Sequence, residues 1–254
     1  MNKKRIIKWT AIIVSLIILF IFTSYLFATQ KDYRNPTYYS SYFQSGYYKI
    51  HPETILISLD KGEPDVFVPL LGDLNQVEDL HNSISWTQAD YLKISNALSQ
   101  FVWHEPLDLK TWKVYFTYFS VGCKDNLHGF NSFYIVYYKD EGVEDWHRIY
   151  SSRLIEVHPW NGIVGWAGST KFSGPLLFGW GHIDLAQYMI TADNVLRIAD
   201  ENGGKTMRSL GNNSCVISVN APYSDFDNSW IINYSGVNFS VIVDPYSGKH
   251  KVLR

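Results

Sequence analysis

The residues of this chain that could do acid–base chemistry are its histidines and carboxylates, and few of them are closely spaced. His182 and Asp184 are two residues apart, and His147 follows Glu144 and Asp145. Alternate residues of a β-strand share a face, so His182 and Asp184 could converge and polarise a bound water. Pairs at this spacing also occur on ordinary solvated surfaces, and we expect a surface pair at both places.

The sequence motifs that assemble catalytic and metal sites are missing. The 254 residues contain no HExxH motif, no GxSxG elbow, no phosphate-binding glycine loop and no metal-spaced set of Cys and His. We therefore expect no catalytic residue, no metal, no cofactor and no enzyme activity. The alternative is a hydrolase whose carboxylate–His site only the fold assembles.

Aromatic side chains are the second group of residues that could form a functional site. They make up 16% of the chain and include nine tryptophans. Most are expected to pack in the core or across strands. Trp160, Trp166 and Trp180 lie where glycines and turn residues concentrate, and they are the candidates for a recognition surface. A deep pocket lined by such rings would instead indicate a ligand or glycan sensor.

A six-residue motif occurs twice, 86 residues apart. Residues 157–162 read VHPWNG and residues 243–248 read VDPYSG, and each copy ends an apolar run. Proline fixes φ, an Asp side chain can accept backbone N–H groups, and glycine adopts turn conformations closed to other residues. The repeat predicts two related modules and a structural role for the turn residues Val157, His158, Pro159, Gly162, Val243, Asp244, Pro245 and Gly248.

Each copy of the motif closes a similar series of predicted elements. In the first, a capping box at 85–88 starts a helix that ends before Pro106. In the second, Thr191 caps a helix that stops at 202–204. Strands are predicted at 55–59, 66–68, 112–121, 132–139, 146–157 and after Gly162, then at 214–220, 229–234, 237–243 and 249–253. The expected fold class is therefore α+β, with two tandem modules that each pack a helix on an antiparallel sheet.

An uncharged run of 20 residues, 9–28, is long enough to cross a hydrocarbon core of about 30 Å as a helix. Four basic residues precede it within the first eight positions, and such an excess marks the cytoplasmic side. A cleaved signal peptide would need small residues at its cleavage site, where this chain has Leu26 and Phe27. We predict a single-pass transmembrane helix in the cell membrane, with the N-terminus in the cytoplasm and the bulk of the chain outside it.

The predicted organisation follows from these segments. It comprises a basic tail (1–8), a transmembrane helix (9–28), a Tyr/Ser-rich stalk (29–50), a first α+β module (51–167), a packed connector (168–189) and a second module (190–254). The net charge is −2 and the tail carries +4, so the part beyond residue 28 carries −6. An acidic exterior argues against nucleic acid as a partner.

Cys123 and Cys215 are the two cysteines, and one falls in each predicted module. A bridge between them is permitted outside the cytoplasm. Cys215, however, alternates with Ile217 and Val219 as a small buried side chain would. Two unpaired thiols are favoured over a bridge.

The second module resembles the PepSY family over residues 190–254. The resemblance rests on a capped helix ending at Gly203 and Gly204, on Trp230 in a strand, and on an alternating strand that runs into the VDPYSG turn. The first module resembles that family more loosely, because His158 stands where the turn has Asp, and it looks like a diverged PepSY or cystatin-like relative.

The resemblance implies a role rather than a reaction. PepSY-type modules occur outside the cytoplasm, where they look like non-catalytic units that bind proteins or restrain peptidases. We therefore expect a membrane-anchored, extracytoplasmic protein-binding or regulatory protein with a protein partner. The alternatives are an anchored ligand or glycan sensor and an envelope hydrolase.

Overall fold

Ten strands form one antiparallel sheet in the computed structural model, which describes residues 13–23, 43–63, 65–70, 84–125, 127–144, 147–174, 182–212, 214–222 and 229–253. The strands are β1 (Phe43–Lys49), β2 (Val68–Pro69), β3 (Trp112–Gly122), β4 (Ser132–Glu144), β5 (His147–His158), β6 (Ile163–Gly174), β7 (Val216–Pro222), β8 (Trp230–Tyr234), β9 (Phe239–Val243) and β10 (His250–Leu253). The helices are α1 (13–23), α2 (Ile55–Lys61), α3 (Gln88–Trp103), α4 (Ala192–Ala199) and α5 (Lys205–Leu210). Their strand order in space is β10-β9-β8-β7-β3-β4-β5-β6-β1-β2.

The middle of the sheet joins two similar halves. In the first half α3 precedes the four strands β3–β6, and in the second half α4 and α5 precede the four strands β7–β10. The first strand of each half pairs with the other, Phe116–Gly122 of β3 running antiparallel to Val216–Pro222 of β7. The prediction of two tandem modules, each with its own sheet, is therefore wrong, because the edges that would separate them are hydrogen-bonded to each other.

The predicted transmembrane helix is also not found. Helix α1 is described over residues 13–23. Among the described residues, no helix has the length and apolarity needed to cross a membrane. The fold class is thus corrected to a mostly β protein with one antiparallel sheet.

Several predicted elements differ from the sequence pattern in their bounds or in their type, including the predicted strand at 66–68, which is β2 (Val68–Pro69). The capping box of α3 closes between Thr87 and Asp90, whose carboxylate accepts the Thr87 N–H at 2.9 Å, rather than at 85–88. Residues 55–59 lie in α2 instead of a strand, since a short apolar run does not distinguish the two. The predicted helix stop at 202–204 is a kink, with Gly203 at φ +116°, after which α5 continues.

The main core lies between the helices and one face of the sheet. Tyr91 of α3 stacks on Phe133 with ring centroids 4.9 Å apart, and Phe119 lies 4.9 Å from Phe133 and 6.2 Å from Trp230. The Tyr91 hydroxyl donates to the Phe130 carbonyl oxygen at 2.7 Å, so its polar end is satisfied inside the core. Aromatic side chains from both halves therefore form one continuous core.

The C-terminal end of α3 is fixed to the sheet by a buried arginine. The Arg153 guanidinium lies 3.9 Å from the centre of the Trp112 ring and 4.7 Å from that of Trp103. It donates to Ser99 Oγ at 2.6 Å and forms an ion pair with Glu105. Paired and stacked in this way, a guanidinium is stable in the interior.

A disulfide joins the two halves beside their shared strand pair. Cys123 follows β3 and Cys215 precedes β7, with Cα atoms 5.4 Å apart. The Cys123 N–H also donates to the Cys215 carbonyl oxygen at 3.0 Å. The expectation of two unpaired thiols is wrong, because the antiparallel register of β3 and β7 places these two residues side by side.

The two helices meet at their N-termini and cap each other. The Gln88 N–H at the start of α3 donates to the Asp193 carboxylate at 3.1 Å, and the Ala192 N–H at the start of α4 donates to Gln88 Oε1 at 2.8 Å. The first N–H groups of a helix have no partner within it. Each helix thus supplies the side chain that satisfies the first amide of the other.

Replacing Asp193 tests this mutual capping. Asp193→Ala leaves the Gln88 N–H without its acceptor, and we expect a loss of about 1 kcal/mol in the free energy of unfolding measured with urea. Asp193→Asn keeps an acceptor oxygen and should retain most of the stability. Equal losses in both variants would contradict the assignment.

The same aspartate makes a pH dependence testable. Burial raises the pKa of Asp193 above its usual value of 3.8. The folded protein therefore binds this proton more tightly than the unfolded chain, so the contribution of Asp193 to stability falls as the pH rises through the interval between the two pKa values. Asp193→Asn should remove that slope from the pH profile of the unfolding free energy.

Candidate functional site

Many side chains on the second face of the sheet remain partly exposed, although Tyr138 and Tyr150 on that face form a small buried cluster. Burial alternates along β5, β8 and β9, so that one side chain packs in the core and the next lies on this second face. We call it the open face and define it in the first half by two neighbouring rows of side chains. One row is Tyr47, Glu156, Tyr134 and Tyr118, and the other is Ala167, Leu154, Val136 and Phe116.

Register places the members of each row side by side. Tyr118 is paired with Tyr134, Tyr134 with Glu156, Glu156 with Gly165 and Gly165 with Tyr47. The apolar row follows the same strands, because Phe116, Val136, Leu154 and Ala167 are paired in that order. A tyrosine-and-carboxylate row therefore runs beside an apolar row.

Gly165 creates the space in which Glu156 and Tyr47 meet. A Cβ atom at this position would lie within 3 Å of both the Glu156 carboxylate and the Tyr47 ring. Without it, the two side chains approach each other over strand β6, and the Tyr47 hydroxyl hydrogen-bonds to Glu156. Glycine is thus required here by a close approach of side chains rather than by backbone conformation.

The Glu156 carboxylate is held in its ionised form. Interaction with the His158 imidazole lowers the pKa of this carboxyl against the opposing effect of burial, and the Tyr47 hydroxyl lowers it further. His158 Nε2 lies 3.8 Å from Glu156 Oε2. Because its folded pKa is lowered, Glu156 contributes stability above its ordinary pKa, and this contribution is lost as the pH falls through the lowered value.

His158 connects this carboxylate to a serine on the neighbouring strand. Ser132 Oγ lies 3.3 Å from His158 Nδ1. The three side chains of Ser132, His158 and Glu156 are therefore in sequence across β4 and β5. About a quarter of each of the His158 and Glu156 side chains is exposed.

The two copies of the repeated turn lie at equivalent places in the two halves, but His158 of the first copy corresponds to Asp244 of the second. VHPWNG links β5 to β6 and VDPYSG links β9 to β10, with Gly162 at φ +66° and Gly248 at φ +70°. In the second copy Asp244 accepts the N–H groups of Tyr246 and Ser247 and so closes the turn. His158 replaces that Asp, and its side chain contacts Ser132 and Glu156 instead.

The tryptophans predicted as a recognition surface are not brought together in the described structure. Trp160 is 40% exposed in the turn, with its ring centroid 6.2 Å from that of His158. Trp166 is half-buried against Trp103 of α3, on the core side of the sheet. Trp180 lies outside the described residues.

The His182 and Asp184 pair lies apart from the open-face cluster. His182 is exposed and Asp184 half-buried, and both line a small depression with Leu109 and Trp112. Ile183 between them is held by a backbone hydrogen bond to Val114. Among the described residues, no group of three or more His, Cys, Asp and Glu side chains could hold a metal ion.

Sequence reasoning missed Tyr47, Ser132, Tyr134 and Glu156. Glu156 and His158 carry the same alternate spacing as His182 and Asp184, and they stand directly before a repeated turn. The departure of His158 from the Asp of the second copy was the available signal. The contributions of Ser132 and Tyr47 depend on the register of neighbouring strands, which one sequence does not reveal.

Comparisons with known proteins identify no relative of this chain. No protein-family model, no curated protein and no solved structure matches the chain. The resemblance to PepSY modules stays a hypothesis, and the function has to be argued from the geometry of the site.

This arrangement is suited to recognition. An ionised carboxylate offers acceptors, tyrosine rings offer flat apolar area with a polar end, and the adjoining row offers aliphatic and aromatic contact. Tyrosines are enriched where proteins bind one another, because they bury a large area at a low entropic cost.

Gly165→Ala should disconnect Glu156 from Tyr47. The added Cβ must displace one or both side chains, so we expect the pKa of Glu156 to rise towards its ordinary value, as measured by NMR titration of its carboxyl carbon. Gly168→Ala is the matched control, because a Cβ on Gly168 meets Trp103 on the other side of the same strand. An unchanged Glu156 titration in Gly165→Ala would refute the proposed contact.

Proposed function

We propose that this chain is an extracytoplasmic, non-catalytic protein-binding protein with a regulatory role, and that the open face is its recognition surface. The observation that carries the proposal is the juxtaposition of the two rows, one of Tyr47, Glu156, Tyr134 and Tyr118, the other apolar. A partner's surface that matched both rows would bury apolar area and meet a charged group at the same place.

The disulfide supports a location outside the cytoplasm. Disulfides form and persist in oxidising compartments and are rare in the reducing cytosol. The bridge between Cys123 and Cys215 closes a separation of 92 residues and lies at the junction of the halves, where its loss would affect both. It is therefore a structural bond that an oxidising compartment would preserve.

The surroundings of Ser132 favour recognition over hydrolysis. Acyl transfer needs donors aimed at a developing oxyanion next to the nucleophile. The residue after Ser132, Phe133, is paired with Phe119 on one side and Val157 on the other, so this part of β4 lies within the hydrogen-bonded ladder. The two rows of the open face also extend over several neighbouring strands, and an extended surface of this kind favours a macromolecular partner over a small ligand.

Site-specific photo-crosslinking tests the proposal. A photoreactive amino acid would replace Leu154 or Tyr118 on the open face of the full chain, in the organism that makes it. We expect one protein adduct shared by both positions, and a peptidase is the partner class that the resemblance to PepSY modules implies. Asn96 and Gln100, exposed on α3, provide matched positions on the opposite side of the sheet.

The specificity of the adduct decides the outcome. Val136→Asp in the apolar row should abolish the adduct without unfolding the chain, and the purified captured protein should bind the full chain saturably. Adducts formed equally at Asn96 and Gln100, or unaffected by Val136→Asp, would overturn the proposal.

A hydrolase is the second candidate, and one observation favours it. Ser132, His158 and Glu156 form a hydroxyl–imidazole–carboxylate series with the order of a nucleophile, a base and its orienting group. A fluorophosphonate probe would label Ser132 if this series activated the hydroxyl, and Ser132→Ala would abolish the label. We expect no labelling of Ser132, and labelling that also depends on His158 would replace the proposed function with hydrolysis.

A further inference from the structure

We infer that the open face recognises an arginine side chain of its partner, with the guanidinium bound to the Glu156 carboxylate between Tyr47 and Tyr134. The inference rests on the proposed function, since it names the group on the partner that the same surface selects. It goes further because it assigns a charge, a shape and a residue type to that group.

The Glu156 carboxylate has hydrogen-bond acceptor positions that a ligand could use. Glu156 is ionised and about a quarter of its side chain is exposed. Its neighbours are the Tyr47 hydroxyl and His158 Nε2, the latter at 3.8 Å, which is longer than a good hydrogen bond. A carboxylate has about four acceptor positions on its two oxygens, so the described contacts leave acceptors for a donor arriving from the open side.

The sheet itself does not need a carboxylate at this place. The equivalent position of the second half, 86 residues later, is Ile242. Ile242 lies on the same face of β9, one residue before Val243 and the repeated turn, and the second half forms the same strand, turn and strand around it. Glu156 is therefore dispensable for the architecture, which favours a role in binding.

The flanking tyrosines select arginine over lysine. Tyr134 is on the strand next to Glu156, and Tyr47 reaches Glu156 from two strands away over Gly165. A guanidinium is planar, so it can donate two parallel hydrogen bonds to a carboxylate while its faces contact aromatic rings. An ammonium group is compact and strongly hydrated, and it gains less from the same surroundings.

Binding of small probes tests the inference on the full chain. N-acetylarginine amide and N-acetyllysine amide would be titrated separately, and binding would be followed by NMR at the Gly165 backbone amide and the Glu156 carboxyl carbon. We expect saturable binding of the arginine probe with a Kd on the order of millimolar, and binding of the lysine probe at least about fivefold weaker. Equal affinity for the two probes would reject arginine selection.

Two matched variants distinguish binding at Glu156 from a general effect of the protein's negative charge. Glu156→Gln keeps the shape of the side chain and removes its charge, and it should weaken the arginine probe at least about tenfold while the chain stays folded and unfolds cooperatively in urea. Asp244→Asn removes one charge from the turn of the second half and should leave the affinity unchanged. An affinity that is unaffected by Glu156→Gln, or lowered equally by Asp244→Asn, would overturn the inference.

Failure of the inference is distinguishable from failure of the proposed function. Capture of a specific partner through Leu154 and Tyr118, with no binding of the arginine probe at Glu156, would uphold protein binding and reject the arginine site. Arginine binding that depends on Glu156, with no partner captured from the open face, would uphold the site and reject protein binding.

Discussion

The antiparallel pairing of β3 with β7 is the interaction on which the arrangement of the two halves depends, and the mutual capping of α3 and α4 positions their helices relative to it. Helix N-termini carry partial positive charge and unpaired N–H groups, so two of them meet in a protein interior only if acceptors are supplied. Gln88 and Asp193 supply them reciprocally. The contact fixes the start of both helices above the β3–β7 pair, and from there each helix covers the strands of its own half.

Joining the halves through β3 and β7 has a consequence for the surface. Two separate sheets would each expose an edge with unpaired backbone groups, which natural proteins protect or cover. Pairing these strands removes both edges, and the disulfide between Cys123 and Cys215 holds the pair at one end. The product is one broad face rather than two small ones, and a surface of that kind can accommodate another protein.

Much of the local structure was predictable, because it depends on short-range patterns. The strand positions from β3 to β10 follow the alternation of apolar residues, and Thr191 stands at the predicted N-cap position of α4, although its side chain makes no capping hydrogen bond there. The joining of the halves was not predictable, since it depends on pairing between strands about 100 residues apart along the chain. The Glu156 cluster was missed for the same reason: Ser132 and Gly165 lie on the two strands next to β5 and Tyr47 lies one strand further, and only the sheet register brings them together.

The repeated turn explains how one half could acquire a site without losing its fold. In VDPYSG the Asp244 side chain closes the turn by accepting backbone N–H groups, so that side chain is committed to structure. In VHPWNG the residues Pro159–Asn161 form a short 3₁₀ turn that ends at Gly162, and Asn161 accepts the Ile163 N–H. The turn thus forms without an acidic residue at the position of Asp244, and the His158 side chain can lie on the open face instead. Ile242 is the counterpart of Glu156 and Asp244 that of His158, so both members of this carboxylate–imidazole pair are replaced in the second half, which forms the same strand, turn and strand without them.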